Sequence, residues 1–242
     1  MKNLRVSKIF FEGEVPFGKL REFRAALASH VRDRVLFHHH LDENRFVYRY
    51  PLIQYKTIKG QVAMVCLEHG IEDFVHFLDR QPEEVNLNGY RLPLKIARVQ
   101  MRYHHLRIEP EKQYTYRLSR WVGLNRNNHD DYHAATDDAT RFRLLERMLT
   151  GNILSFAKGV QWAVDEAVQV EIQHIERTKK RYYKKQAYHT FDLIFSSNVF
   201  LPHYIGLGRH ASVGFGVVSA YKLAEKEIEG NNTLNSTQEK ES

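Results

Sequence analysis

The sequence is short of the residues that staple small secreted domains and of the runs that cross a membrane. It has one cysteine, Cys66, which excludes an intrachain disulfide framework and a zinc ribbon. No stretch approaches the roughly 18 consecutive apolar residues of a membrane-spanning helix. Met1-Lys2-Asn3-Leu4-Arg5 leads into an alternating, strand-like segment and not into the apolar region of a signal peptide. A reducing cytoplasm is the expected compartment. Two familiar phosphate-binding glycine signatures are also missing. No Gly-Lys-Ser/Thr closes a Walker A loop, and Ala211 stands where G-x-G-x-x-G needs its last glycine.

Acidic residues are outnumbered, 29 against 36 Lys and Arg, for a formal charge of +7. The imbalance is larger in the body of the chain. Setting aside the two lysines and five glutamates from Glu225 onward leaves 34 basic and 24 acidic residues in 1–224. A basic body rich in Tyr, Phe and His points to a polyanionic partner. The 242 residues are 43% hydrophobic, enough for a core in one large domain or two small ones.

Periodicity gives the organisation. Arg5 to Glu12 reads as a strand and Phe17 to Arg32 as a helix, with Leu20, Phe23, Leu27 and Val31 on one face. Strands follow at Phe46 to Lys56, broken at Pro51, and at Gln61 to Leu67. A helix over Gly70 to Leu78 and a long alternating segment from Leu92 to Ile108 complete a β-α-β-β-α-β order, with room for one extra strand. After a linker at Glu109 to Gln113 the order restarts. Tyr114 to Val122 is a strand, and a polar loop offers Asn128 or Asp131 as a helix cap. Thr140 to Gly159 is a helix. Val168 to Ile175 and Tyr188 to Phe195 are strands, Val199 to Leu207 leads into a glycine-rich loop, and Val217 to Leu223 is the last strand. The reading is α+β: two tandem ferredoxin-like (RRM-like) domains, 1–109 and 110–224, then a polar, disordered tail at 225–242. A single larger α+β domain is the competing reading.

Three stretches carry chemistry. In His38-His39-His40 an extended chain puts His38 and His40 on one face and His39 on the other. Two imidazoles on one face can serve as general base and general acid. Tyr48 follows on the next strand, and Arg34, Arg45, Arg49 and Lys56 lie near in sequence, able to stabilise charge on a phosphorane. The set suits metal-free RNA cleavage, in which the 2′-oxygen attacks the adjacent phosphate and leaves a 2′,3′-cyclic phosphate and a 5′-OH. Surface histidines, or a metal site completed by Asp42 and Glu43, remain alternatives. The second stretch is Arg177 to Lys185, where six of nine residues are Lys or Arg. It reads as a hairpin tip that grips a phosphate backbone through Lys179, Lys180 and Arg181, or as a solvated edge. The third is Gly206-Leu207-Gly208-Arg209-His210-Ala211-Ser212-Val213-Gly214-Phe215-Gly216. It is either a phosphate cradle formed by its glycine amides with Arg209, His210 and Ser212, or a glycine-rich turn. Arg102-Tyr103-His104-His105-Leu106-Arg107 is a basic face or an exposed strand edge. His129, Tyr132 and His133 read as structural or solvent-exposed.

Phe37-His38-His39-His40 followed by Phe46-x-Tyr48-x-Tyr50-Pro51-Leu52-Ile53-Gln54-Tyr55-Lys56 resembles the N-terminal half of the CRISPR-associated endoribonucleases that process precursor CRISPR RNA. The loop Gly206-x-Gly208-Arg209-x-x-Ser212-x-Gly214-x-Gly216 is similar to the glycine-rich loop of the same RAMP superfamily. The resemblance implies two ferredoxin-like domains and a metal-independent cut within each repeat of an RNA transcript, without a cofactor. His38 or His40, with Tyr48, would be catalytic. An inactive RNA-binding subunit of a CRISPR effector complex is the alternative. CRISPR repeat RNA, other effector subunits and a second copy of the chain are the expected partners.

Overall fold

The computed structural model describes residues 1–30, 50–79, 81–125, 127–184 and 186–221. The first half runs β1 (Lys2–Phe11), a 3-10 turn (Phe17–Lys19), α1 (Leu20–Ser29), β2 (Ile53–Ile58), β3 (Gln61–Leu67), α2 (His69–Leu78), β4 (Glu84–Leu87), β5 (Tyr90–Pro93) and β6 (Ile96–Leu106). Its main sheet has the order β2-β3-β1-β6, each strand antiparallel to its neighbours. The second half runs β7 (Tyr114–Trp121), α3 (His129–Ala134), α4 (Asp138–Gly159), β8 (Val170–Tyr183), β9 (Gln186–Ser197) and β10 (Val217–Ala220). Its sheet, β10-β7-β9-β8, repeats the first order with the fourth strand of the unit beside its first. Both halves are therefore ferredoxin-like sheets in tandem. Among the described residues no helix is long and apolar enough to cross a membrane.

Strand β3 shows why the two halves meet. Its run Val-Ala-Met-Val-Cys-Leu lacks the polar alternation of a half-exposed strand, and both of its faces are buried. Val62, Met64 and Cys66 face Ile9, Phe11, and the α1 residues Phe23 and Leu27. Ala63, Val65 and Leu67 instead join Leu4, Val6 and Phe10 in one buried cluster with Tyr116, Trp121, Leu149 and Phe156 of the second half. One core thus spans both sheets, and each Phe or Leu fully buried in it contributes about 1.5–3 kcal/mol.

Several elements depart from the periodic reading for identifiable reasons. Leu92 to Ile108 is not one strand. It breaks after Pro93, and β4 and β5 form a small hairpin whose Asn88-Gly89 turn has positive φ at both positions, 54° and 89°. A short helix, α3, intervenes before the long one, so α4 is capped by Asp137, which accepts from the Thr140 amide at 2.7 Å. The basic stretch from Arg177 forms the distal end of the β8–β9 hairpin, paired as strand up to Tyr183. Lys179, Lys180 and Arg181 oppose Thr190, His189 and Tyr188 on the edge strand β8. Where the first half has α2, residues 198–216 form an irregular connection whose ladder pairing, among the described residues, is limited to isolated bridges. Its polar backbone finds partners elsewhere.

Candidate nucleic-acid interface

The glycine-rich connection packs into the seam between the two halves, and its hydrogen bonds cross that seam. The Gly206 amide donates to Gln54 Oε1 at 2.8 Å, and the Gly206 carbonyl accepts from the Tyr50 hydroxyl at 2.8 Å. Gln54 closes the set by donating from Nε2 to the Tyr50 oxygen at 2.9 Å. The Ser212 carbonyl accepts from the Tyr55 amide at 2.8 Å, and Val213 bridges Tyr55 in parallel. The loop therefore extends the β2 edge as a short added strand. Two glycines are required by space as well as by conformation. At Gly208, with φ +80°, a Cβ would meet Asn152 Oδ1 at 2.6 Å and Trp121 Nε1 at 2.8 Å. At Gly216, with φ +59°, it would fall on the Leu207 carbonyl.

Lys56 departs from its expected role. Its side chain is 0% exposed, and Nζ donates to the Ala211 carbonyl at 3.0 Å. It anchors the loop from below and does not reach solvent. Burial, aided by the nearby Arg120 charge, pushes its pKa down to about 7. His210 is likewise held away from the cationic form. Burial first, then Arg209 and Lys184, lowers its pKa to about 4, so the ring is neutral at pH 7. It packs as an aromatic between Tyr183, Tyr188 and Phe215, with centroids 4.3, 4.8 and 5.6 Å away.

Cations converge around this loop. A bulge in β7 between Leu118 and Trp121 turns Arg120 onto it, where Nε donates to the Gly214 carbonyl at 3.1 Å. The Arg120 guanidinium lies 4.6 Å over the Phe17 ring, and that of Arg181 lies 5.6 Å from the same ring. Burial and the Arg181 charge depress the Arg120 pKa, and Asp192, which accepts from the Arg120 amide at 2.6 Å, opposes them. Arg24 donates to Ser212 Oγ at 3.3 Å. At the tip, Arg209 is exposed, and the amides of Gly208, Arg209 and His210 have no hydrogen-bond partner among the described residues. Exposed cations and unpartnered amides beside a positively charged seam form an anion-binding surface.

The residues anticipated from the sequence are thus partly brought together. Arg181, Gly206, Gly208, Arg209, His210, Ser212, Gly214 and Gly216 share the seam. Lys179 and Lys180 project from β8 beside it. Arg34, His38, His40, Tyr48 and Arg49 lie outside the described residues. Of the stretch 102–107, residues 102–106 lie on the edge strand β6, where Tyr103 is exposed and His104 stacks on Phe200 at 4.6 Å. Sequence reasoning missed Phe17, Arg24, Tyr50, Gln54 and Arg120, whose partners lie in distant parts of the chain. The one local signal was the pair of polar residues, Gln54 and Lys56, in an otherwise apolar strand.

Sheet order, connectivity and the shared loop define a protein of two tandem ferredoxin-like domains with a cationic seam. The chain belongs to the Cas6b family: the Cas6b N-terminal domain profile matches residues 2–105, and the Cas6b C-terminal domain profile matches residues 109–221. A crystal structure of Cas6b superposes with a TM-score of 0.82 at 25% identity, covering 91% of this chain and 100% of that one. A structure of a CRISPR RNA processing endoribonuclease Cas6b shares the fold, with a TM-score of 0.69 at 23% identity and the same coverage. A protein of Methanocaldococcus jannaschii without assigned function is 33% identical over 142 residues, 56% of this chain and 95% of that protein.

Proposed function

We propose that the protein is a metal-independent endoribonuclease that cuts CRISPR repeat RNA for CRISPR RNA maturation. His38 and His40 act as the general base and acid. One removes the 2′-OH proton, the 2′-oxygen attacks the adjacent phosphate, and the other protonates the leaving 5′-oxygen. Tyr48 hydrogen-bonds the reacting phosphate. The products are a 2′,3′-cyclic phosphate and a 5′-OH, and the RNA lies along the seam and the β8–β9 hairpin.

The observation that carries this reading is the bond from Tyr50 to the Gly206 carbonyl. It ties the residue two positions after Tyr48 to the glycine loop, next to Arg24, Arg120, Arg181 and Arg209. Those cations supply what an RNA backbone needs, and their surplus over nearby carboxylates supports a polyanionic partner. Within this reading Arg209 and the tip amides contact phosphate, whereas Lys56 and His210 hold the loop in shape.

The test is incubation with CRISPR repeat RNA in EDTA. Cleavage to a cyclic-phosphate end, abolished by a single 2′-deoxy substitution at the scissile position, is expected. Cutting of the deoxy substrate refutes the 2′-OH step. Binding without cutting identifies a non-catalytic RNA-binding subunit, and loss of cutting in EDTA alone identifies a metal-dependent nuclease.

A further inference from the structure

Beside the seam, α3 and the β8–β9 hairpin enclose a cleft of about 830 Å³ whose lining includes His129, His133, Lys180, Tyr188, His189 and Arg209. That volume lies in the range of small-ligand sites, about 300–1,000 Å³. The imidazoles form a stack. His129 and His133, one helical turn apart, have centroids 4.4 Å apart. His133 lies parallel to His189 at 5.6 Å and 10°, and His189 rests on Phe191 at 5.0 Å. Alternation along β8 turns Arg181 to the glycine loop and its neighbour Lys180 to this cleft, opposite His189.

The charged inventory is one-sided. Among the described residues His133 and His189 have no hydrogen-bond partner, and Lys180 and Arg209 form no ion pair. His129 alone is paired, to Asp130 at 3.2 Å. Among the described residues no carboxylate lines the cleft. An imidazole carries at least one N–H donor, so the cleft offers two unpartnered rings able to donate, an ammonium and a guanidinium, beside the side-chain amides of Asn125 and Gln186. His133 and His189 are nearly parallel, whereas His129 is inclined at 53° to His133. No group of His, Cys, Asp and Glu among the described residues could hold a metal ion. The inventory matches an anion with several acceptor oxygens.

We propose that this cleft is a second RNA subsite, beside the glycine loop, that holds a backbone phosphodiester. Lys180 and Arg209 neutralise the phosphate, and His133 and His189 donate N–H to its oxygens. The inference rests on the RNA-binding reading above. Arg209 belongs to both surfaces, so a strand bound at the glycine loop continues into the cleft.

The test uses the full-length protein in EDTA with a fluorescent CRISPR repeat RNA carrying a 2′-deoxy scissile nucleotide. His133→Gln combined with His189→Gln should weaken binding about tenfold, the scale of a lost hydrogen bond to a charged group. Lys180→Gln should lower the slope of log affinity against log salt by about one. In the wild type, the imidazole NMR signals of His133 and His189 should move on addition of this RNA, a readout that needs no variant to fold. Wild-type affinity in the double variant, or unmoved imidazole signals with RNA bound, overturns the subsite alone. If the wild type binds no RNA, the subsite and the functional reading fall together. If inorganic phosphate or a nucleoside monophosphate moves the same signals while RNA does not, the cleft serves a free phosphate ligand and the proposal is wrong.

Discussion

Replacing Lys56 by Met tests how the seam is built. The Lys56 ammonium is fully buried, donates to the Ala211 carbonyl, and has no carboxylate partner among the described residues. Its pKa is pushed down to about 7 by burial and then by Arg120. An unfolded lysine titrates near 10.4, in round terms about 10. The folded value is the lower one, so between about pH 7 and pH 10 the unfolded chain holds a proton that the native protein has released. Stability from this group therefore rises with pH across that window and is least below pH 7. At about 1.4 kcal/mol per pH unit the full window is worth up to about 5 kcal/mol, an upper bound that local relaxation reduces. Met keeps the length and the apolar stem but removes the charge. It also orphans the Ala211 carbonyl, at about 1–3 kcal/mol. The variant should therefore be more stable than wild type at pH 6 and less stable at pH 9–10, with the two curves crossing between. Urea unfolding of both proteins from pH 6 to 10 measures this, and the difference between them cancels groups common to both. A pH-independent difference would refute the assignment of Lys56 as an unpaired buried cation.

Three further outcomes are expected. Gly216→Ala should cost at least about 2 kcal/mol by urea midpoint, from positive φ and the blocked Leu207 carbonyl, whereas Gly151→Ala, open to solvent on α4, should be neutral or stabilising by up to about 1 kcal/mol. His38→Ala and His40→Ala should each slow cutting about 100-fold or more in single-turnover assays, and His39→Ala far less; greatest sensitivity at His39 would overturn the extended geometry. Arg181→Ala should weaken RNA binding and flatten its salt dependence by about one phosphate contact, and an unchanged salt slope would remove the seam from the RNA path.

Much of the fold was legible locally, because strands and helices announce themselves by period. The α1 face of Leu20, Phe23 and Leu27 and the buried run of β3 needed only their own spacing. The errors fell where neighbours decide. Edge pairing carried β8 further than expected, to Tyr183 within the basic hairpin end, and an inserted helix took Asn128 as its N-cap and left the α4 cap to Asp137. Lys56 stands out as a polar residue in a largely apolar strand, but nothing in the sequence names what buries it. Its environment is made by Ala211 and Arg120, far along the chain.

The glycine loop divides the two kinds of information most clearly. The amino-acid order determined the tandem element pattern, the positive charge of residues 1–224 and the places where only glycine fits. Tertiary structure decided what the loop is for. Its satisfied amides and carbonyls bond across the seam to residues about 150 positions away, leaving Arg209 and the tip amides as its free polar face. It decided likewise that His133 and His189, unremarkable in sequence, share a cleft with Lys180. Periodicity is a property of neighbours along the chain, whereas the partner of a buried charge or an orphan N–H is set by which segments the core brings together.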